Sequence, residues 1–534
     1  MPEHAAESRL EDLLKRPIAS WLRLDGYTLV AALLVVAALV TRLWDLGTRA
    51  YNHDEAIHAW ESWKLITGQG YIHNPVYHGP FLYHITALGY FLFGHSDYTG
   101  RLAAALFGAA TVGLVLCFRR WLGSRGTLIA AGLALISPSL LYYGRFIRHD
   151  AFSVVFTLMM AIGILNYLER RENRYLYLVV LGQALYFANM ETAFIQTFTF
   201  WTFLAILLLC QWRSDTKRSL RSWPAFDLIM VMGTLLLPLA SPLGIKAMGL
   251  LLRDPVNWNP IAYEQSASLV RSGIVWAAFL VASVCVGLFW DRRRWLVSAG
   301  IFYTIFVVLF TTFFTNGYGL ATGQVGQLGY WLSQHGERRG GQPWHYYLVL
   351  LPLYDYLPLL FAGLGGIFYL FRRQPVLTAE AANAAGPVRG AEAAPVLVTH
   401  AGSSLAADAQ SPGGSAAGVT LDRSSPSDVA SAGVSVPFVP LLVYWFSVNL
   451  VVFSWGGEKM PWLAVHMSLP LVLLAGWFLG ELLDSDWRAH WMRGAGWVAL
   501  LIPLLVVAII GTLNNKPFQG TSSAQLGQTM GWIG

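Results

Sequence analysis

The chain has 534 residues, of which 55% are hydrophobic and only 12% charged, with a mean hydropathy of +0.49. That composition excludes a water-soluble globular domain and supplies enough apolar sequence for many membrane spans. The net charge of +6 comes from basic residues scattered over short loops, which suits membrane topology and anionic headgroups and excludes a nucleic-acid partner.

Apolar runs of about 17 residues or more can each cross a hydrocarbon core of roughly 30 Å as one helix. Thirteen such runs are predicted, at 26–43, 101–118, 127–143, 151–168, 174–189, 192–210, 226–243, 273–290, 295–314, 346–371, 437–454, 462–483 and 495–513. The expected fold class is therefore all-α and polytopic, with about thirteen transmembrane helices and a long first loop at 44–100 that holds juxtamembrane helices. The first run follows a charged segment and lacks a small-residue cleavage site, so it reads as a retained anchor. The run "FLYHITALGYFLF" at 81–93 is too short to span and is expected as a re-entrant or interfacial helix.

Most of the 36 Lys and Arg fall in alternate loops, among them "RRWLGSR", "ERRENR", "QWRSDTKRSLRSW" and "DRRRW". Under the positive-inside rule this places the N-terminus in the cytoplasm of a multi-pass cell-membrane protein. Residues 374–436 carry no aromatic side chain and are rich in Ala, Gly, Ser and Pro. Such a stretch buries too little apolar area to offset its ordering entropy, so it is expected as a disordered cytoplasmic linker. It divides a membrane module at 1–373 from a three-helix module at 437–513 and a short outer tail at 514–534. Cys117, Cys210 and Cys285 lie in or beside apolar runs without CxxC spacing and read as small packing residues.

With that topology the unusual polar clusters gather outside: "YNHDEAIHAWESW", "NPVYHGPFLYH", "YYGRFIRHD", "NMET", "QHGERRGGQPWHYY" and "SWGGEKMPW". Ionisable groups at helix ends are expensive unless they serve water-facing chemistry, which makes a shared extracytoplasmic site the leading hypothesis. If 52–66 forms an amphipathic helix on the membrane surface, Asp54, His58 and Glu61 share one face. Asp54 then suits general-base work, worth typically about 10²- to 10⁴-fold. Glu55 projects about 100° away, so the pair is no two-carboxylate glycosidase site. The competing reading makes either acid a first-turn cap.

Candidate cations are His78, Arg145, Arg148, Arg338, Arg339 and Lys459, the arginines being shaped for bidentate phosphate contact. Arg145 and Arg148 share a face at i, i+3 if their helix continues, although boundary arginines also snorkel to headgroups. Arg338 and Arg339 sit in a Gly-rich stretch that suits a flap or an idle loop, and Glu458 and Lys459 begin a span with Pro461 in its first turn. His53, His149 and Glu191 complete the polar set. His53, His58 and His73 with Asp54 or Glu61 leave a divalent cation open, but no tight ligand spacing is met and no metal is assigned.

The Asp-Glu pair in the first loop, "HGPFLYHITAL", "FGHSDYTGRLAAALFG" and "GRFIRHD" together resemble the polytopic GT-C glycosyltransferases, of the protein O-mannosyltransferase and aminoarabinose-transferase type in glycosyltransferase family 39. The likeness covers roughly 26–170, the remainder matching only in hydropathy. It implies a polyprenyl-phosphate-linked sugar donor, inverting transfer to an extracytoplasmic acceptor, Asp54 as base with Glu55 beside it, and Asp150 as a second acidic site residue. "HGP" stands where aminoarabinose-type sequences often read Lys-Pro, so His78 replaces a fixed cation. The lack of a Trp-Trp-Asp motif and of a large domain after 513 points away from an oligosaccharyltransferase catalytic subunit. The acceptor is left open among protein, lipid and glycan, and no cofactor is implied beyond the donor substrate and membrane lipids. The alternative reading is a polytopic transporter or lipid-linked sugar flippase.

Overall fold

The computed structural model describes residues 25–261, 266–334, 341–371, 436–457 and 459–485, with a few isolated positions beyond 506. Arg338, Arg339, Glu458 and nearly all of the expected linker, of the tail and of the expected span at 495–513 lie outside these residues. Among the described residues all regular structure is helical. The all-α polytopic class is therefore observed.

Helix α1 (Gly26–Leu43) starts at Asp25, whose carboxylate accepts from Thr28 N at 2.8 Å. It turns Leu29, Leu33, Val36 and Val40 outward as an exposed apolar stripe. The first loop then forms α2 (His53–Ile66) and α3 (Phe81–Phe93), the short apolar helix expected there. Next come α4 (Asp97–Val115) and α5 (Arg119–Ile136), which run on almost without a break. Their ends show that the chain turns back between them. Arg101, in the second turn of α4, pairs with Glu55 of the first loop, while Arg42, in the last turn of α1, donates to Ala134 and Leu135 at the end of α5. The start of α4 and the end of α5 therefore share a face, and the reversal falls near Gly123, at φ 70°.

The chain continues with α6 (Pro138–Tyr143), α7 (His149–Arg170), α8 (Asn173–Phe187) and α9 (Thr192–Ser214). Helices α10 (Pro224–Leu236) and α11 (Ser241–Leu251) bend by 53° about Pro238. After α12 (Ser266–Trp290) and α13 (Arg292–Phe310), a π turn at Thr322–Gly326 leads into α14 (Gln327–Gln334). Helices α15 (Tyr346–Tyr354) and α16 (Tyr356–Phe371) meet at 106°, and α17 (Phe438–Trp455) and α18 (Val465–Asp484) follow.

Helices α7 and α18 form the core. A helix apolar on every side has no face to give to water and packs centrally; both are buried along nearly their whole length. Helix α18 crosses α5 at glycines, where a Cβ on Gly126 would come within 2.8 Å of the Gly476 carbonyl and on Gly480 within 2.6 Å of Gly126 Cα. Gly476 and Gly480 are thus a small-xxx-small contact between membrane helices. At the end remote from the first loop, buried Asp227 accepts from Tyr167 Oη at 2.8 Å, Arg171 Nε at 3.0 Å, Arg294 Nη1 at 3.2 Å and Trp290 Nε1 at 3.1 Å. That one carboxylate joins α7, α10, α12 and α13.

The expected count of thirteen spans is not confirmed. Among the described residues eight helical stretches are long and apolar enough to cross a membrane, or ten with the two bent pairs, and one of the eight is the reversing α4–α5 stretch. The expected span at 174–189 is a helix of 15 residues. The run at 346–371 breaks at Asp355, a buried acid that accepts from Ser137 Oγ and Ser468 Oγ, each at 2.6 Å. Hydropathy averages across such breaks and cannot register them. The three cysteines are exposed rather than packed inside.

The arrangement puts 44–100 and the turn after α9 at opposite membrane faces. In a chain with its three cysteines replaced by serine, Gln69→Cys and Asp215→Cys, both at exposed positions, are expected to react with an impermeant maleimide from opposite sides of sealed vesicles. Reaction of both from one side would contradict this helix order.

Candidate functional site

The site is built from the start of α2. Asn52 Oδ1 accepts from Glu55 N at 2.9 Å and Glu55 Oε2 accepts from Asn52 N at 3.3 Å, a capping box that fixes where the helix begins. Glu55, fully buried, also accepts from Arg101 Nε and Nη2 at 2.7 Å each, from Arg49 Nη2 at 3.2 Å and from Ile147 N at 3.3 Å. Arg101 in turn donates to the carbonyls of Leu46, Arg49 and Ala50. A charge-assisted bidentate pair is thus the frame on which the loop is wound. Glu55 is saturated and turned inward, in a positioning geometry rather than one that could touch a substrate.

Asp54, one residue earlier, is turned the other way, and its side chain is 36% exposed. Its carboxylate is ion-paired with Arg148 Nη1. Arg148 is itself held three ways: Nε donates to Asp150 Oδ2 at 3.3 Å, the guanidinium lies 3.5 Å over the Trp462 ring, and the residue is the N-cap of α7. Asp150, fully buried in the first turn of α7, benefits from the helix dipole and lies 3.9 Å from His466 Nε2. Asp54 and Asp150 are therefore joined by one arginine, as the shared-site expectation requires.

The segment "HGP" supplies the next wall. His78 has a φ of 67°, an uncommon left-handed conformation for a non-glycine residue and a frequent companion of function. The chain can take it because Gly79 N donates to Asn189 O at 3.0 Å and Phe81 N to Ala188 O at 2.9 Å, an approach in which a Cβ on Gly79 would meet the Ala188 oxygen at 2.3 Å. His78 Nδ1 meets Glu191 Oε2 at 2.6 Å. His78, Arg148, Glu191, Trp331 and Trp462 line a cavity of about 80 Å³. Buried Lys459 donates to Gly456 O at 2.8 Å, at a residue of the same wall.

Behind this wall the histidines are neutral struts. Tyr83 Oη donates to Tyr77 O at 2.7 Å, so its contact with His58 Nδ1 at 3.0 Å is one in which the imidazole donates. His73 Nε2 donates to His78 O at 3.1 Å while Nδ1 meets Thr322 Oγ1 at 2.8 Å, tying the first loop to the π turn. Burial pushes the His58 imidazole well below the usual histidine range and His73 down to about 3. His149 Nε2 meets Gly79 O at 3.2 Å, and its ring lies 5.1 Å from those of both His58 and His78.

The structure thus brings together Asp54, His78, Arg148, Asp150, Glu191, His149 and Lys459. It turns Glu55 and His58 into the interior, which corrects the expectation that His58 shares a water-facing side with Asp54 and Glu61. His53, at the start of α2, is exposed. Arg145 departs from Arg148 because residues 145–148 are not helical; its Nη2 instead donates to Trp44 O at 2.6 Å. Among the described residues no three His, Cys, Asp or Glu side chains converge to hold a metal ion, so the divalent cation left open by the sequence has no ligand set here. Arg101, Trp462, His466 and Asn189, which donates to His149 O at 2.8 Å, were not singled out by the sequence. Glu55, named by the sequence beside Asp54, takes the capping role of the competing reading.

Residues 77–241 match the family model described as Dolichyl-phosphate-mannose-protein mannosyltransferase. The resemblance read from the motifs is borne out over that stretch. It contains His78, Arg145, Arg148, Asp150 and Glu191 but begins after Asp54. A polyprenol-phosphate-mannose–protein mannosyltransferase from Corynebacterium glutamicum is 33% identical over 175 residues, which are 30% of this chain and 33% of that protein. The chain thus spans about a third of this relative's length. The fold overlaps ArnT from Cupriavidus metallidurans bound to undecaprenyl phosphate, with a TM-score of 0.47 at 15% identity over 97% of this chain and 70% of that one. It overlaps the oligosaccharyltransferase AglB from Archaeoglobus fulgidus with a TM-score of 0.48 at 13% identity, over 96% and 56%. Overlaps at that level carry no functional argument.

Two outcomes follow. Glu55→Ala leaves buried Arg101 without its carboxylate and is expected to destabilise the protein by roughly 3–5 kcal/mol, read as a fall in melting temperature in detergent; a wild-type melt would contradict the framing role. His73 binds fewer protons folded than unfolded between about 3 and the ordinary value of 6.5, so its contribution to stability is lost as pH falls through that window. The melting temperature of His73→Asn is expected to drop less than that of the wild type between pH 7 and pH 5, and parallel curves would contradict this.

Proposed function

We propose that the chain is an integral-membrane glycosyltransferase that moves a sugar from a polyprenyl-phosphate donor to an extracytoplasmic acceptor with inversion. The observation that carries the reading is the sharing of Arg148 by exposed Asp54 and buried Asp150 beside the cavity of His78, Glu191 and Trp462. The family match over 77–241 and the Corynebacterium relative support the donor class, and both descriptions name mannose, which makes polyprenyl-phosphate mannose the first donor to try.

In this reading the acceptor hydroxyl oxygen attacks the anomeric carbon from the side opposite the phosphate. Asp54 takes the hydroxyl proton as the new C–O bond forms. The bond from the anomeric carbon to the phosphate oxygen breaks, and polyprenyl phosphate departs with the electron pair. Phosphate is a good leaving group, so no acid is required; fixed cations that meet the developing charge suffice. Arg148 and His78 line the cavity where that charge would form, with Lys459 behind it. Asp150 acts through Arg148 as a positioning residue. The N-terminus is cytoplasmic, the site faces away from the cytosol, and the linker at 374–436 lies in the cytoplasm between the two membrane modules.

Asp54→Asn removes the proton acceptor while keeping the side chain's shape. Sugar transfer from polyprenyl-phosphate mannose is expected to fall by about 10²-fold or more with an unchanged melting temperature. Transfer at the wild-type rate by that variant removes Asp54 as the base.

A further inference from the structure

A second, larger cavity of about 550 Å³ lies on the other side of Glu55, between the end of α1 and α6. Its walls include Asp45, Thr48, Arg49, Arg101, Tyr142 and Arg145, and it shares no lining residue with the cavity at Arg148. Its charges do not balance: the guanidiniums of Arg49, Arg101 and Arg145 line it against the one carboxylate of Asp45, which accepts from Thr48 Oγ1, while Glu55 is shared by Arg101 and Arg49. Arg145 donates to the carbonyls of Trp44 and Asp45 and, among the described residues, meets no carboxylate. Arg42, fully buried one turn below, donates to Thr41 Oγ1, Ala134 O and Leu135 O, and its Nε finds no acceptor. Half-buried Arg145 in the wall and fully buried Arg42, which lies outside the lining, thus have no carboxylate partner among the described residues, near the end of a helix that presents an apolar stripe outward. A buried cation is costly without an anion near it, and an anion in the cavity would meet Arg145 directly. Arginine forks suit phosphate oxygens, and exposed Trp44 beside them marks the depth at which headgroups lie.

We propose that this cavity binds the phosphate group of an anionic lipid at the membrane boundary, with the lipid chains lying along the Val36 and Val40 face of α1. The site is separate from the donor site and does not depend on the transferase reading.

The test is native mass spectrometry of the full, delipidated chain with phosphatidylglycerol, phosphatidylcholine or polyprenyl monophosphate added. Wild type is expected to retain phosphatidylglycerol and release phosphatidylcholine. Arg145→Gln is expected to lower phosphatidylglycerol retention at least tenfold, while Asp54→Asn retains it in full. Tyr142→Glu, a carboxylate placed on an exposed wall, is expected to cause the same loss and serves if Arg145→Gln fails to fold. Polyprenyl monophosphate retained by Asp54→Asn but lost by Arg145→Gln extends the site to that lipid. If inorganic phosphate displaces phosphatidylglycerol at equal concentration, the phosphate site stands with free phosphate as its source; if it does not, the source is the lipid. Undiminished retention by both Arg145→Gln and Tyr142→Glu, or equal retention of phosphatidylcholine, overturns the proposal.

Discussion

A buried ionised carboxylate is costly unless a cation or hydrogen-bond donors meet it, and at the root of the first loop Arg101 meets that demand for Glu55. Everything above it takes its direction from there. Arg101 gathers three loop carbonyls, and Glu55 caps α2 and reaches Ile147 N, so the loop is tied both to α4 and to the segment that leads into α7. Separating such a pair leaves a buried charge uncompensated, which is why the arrangement is stiff whatever its net contribution to stability. With Glu55 fixed inward, helix periodicity turns Asp54 outward toward Arg148. The two adjacent acids thus divide the work: one organises the loop, the other meets solvent.

A second set of contacts sets the shape of the cavity. His73 spans from the π turn to the carbonyl of His78, Asn189 holds His149 O, and the close approach of Gly79 to the Ala188 carbonyl fixes "HGP" in its left-handed turn. Neutral imidazoles suit this role because each can donate from one nitrogen and accept at the other without bringing charge into a dry interior. Beside them buried Arg148 stacks on Trp462 between buried Asp150 and partly exposed Asp54.

The sequence made the membrane class, the short helix at 81–93 and the helix at 52–66 legible, since each rests on periodicity or run length. It also grouped Asp54, His78, Arg148, Asp150 and Glu191 by placing their segments at the same helix ends. What it could not reveal was set by tertiary geometry. Arg145 and Arg148 share a face only in a continuous helix, and the chain there is extended at Arg148, with a φ of −142°. Arg101 lies in a run of small apolar residues and looks like a boundary charge until its partner is known. Trp462 and His466 come from a helix more than 300 residues distant from Asp150 in the chain, a separation over which no local pattern operates. The sequence did not show the breaks at Pro238 and Asp355, because an average over a window is blind to direction.

The proposed donor binds with its phosphate in the cavity that Arg148 and His78 line and its sugar toward Asp54. An electron cryomicroscopy map of the protein with a nonreactive polyprenyl-phosphonate sugar tests this placement most directly. The phosphonate is expected within hydrogen-bond reach of Arg148, beside Trp462 and His78, with the anomeric carbon presenting its opposite face to Asp54. A headgroup bound elsewhere, with the Arg148 cavity empty and Asp54 facing only solvent, would contradict it.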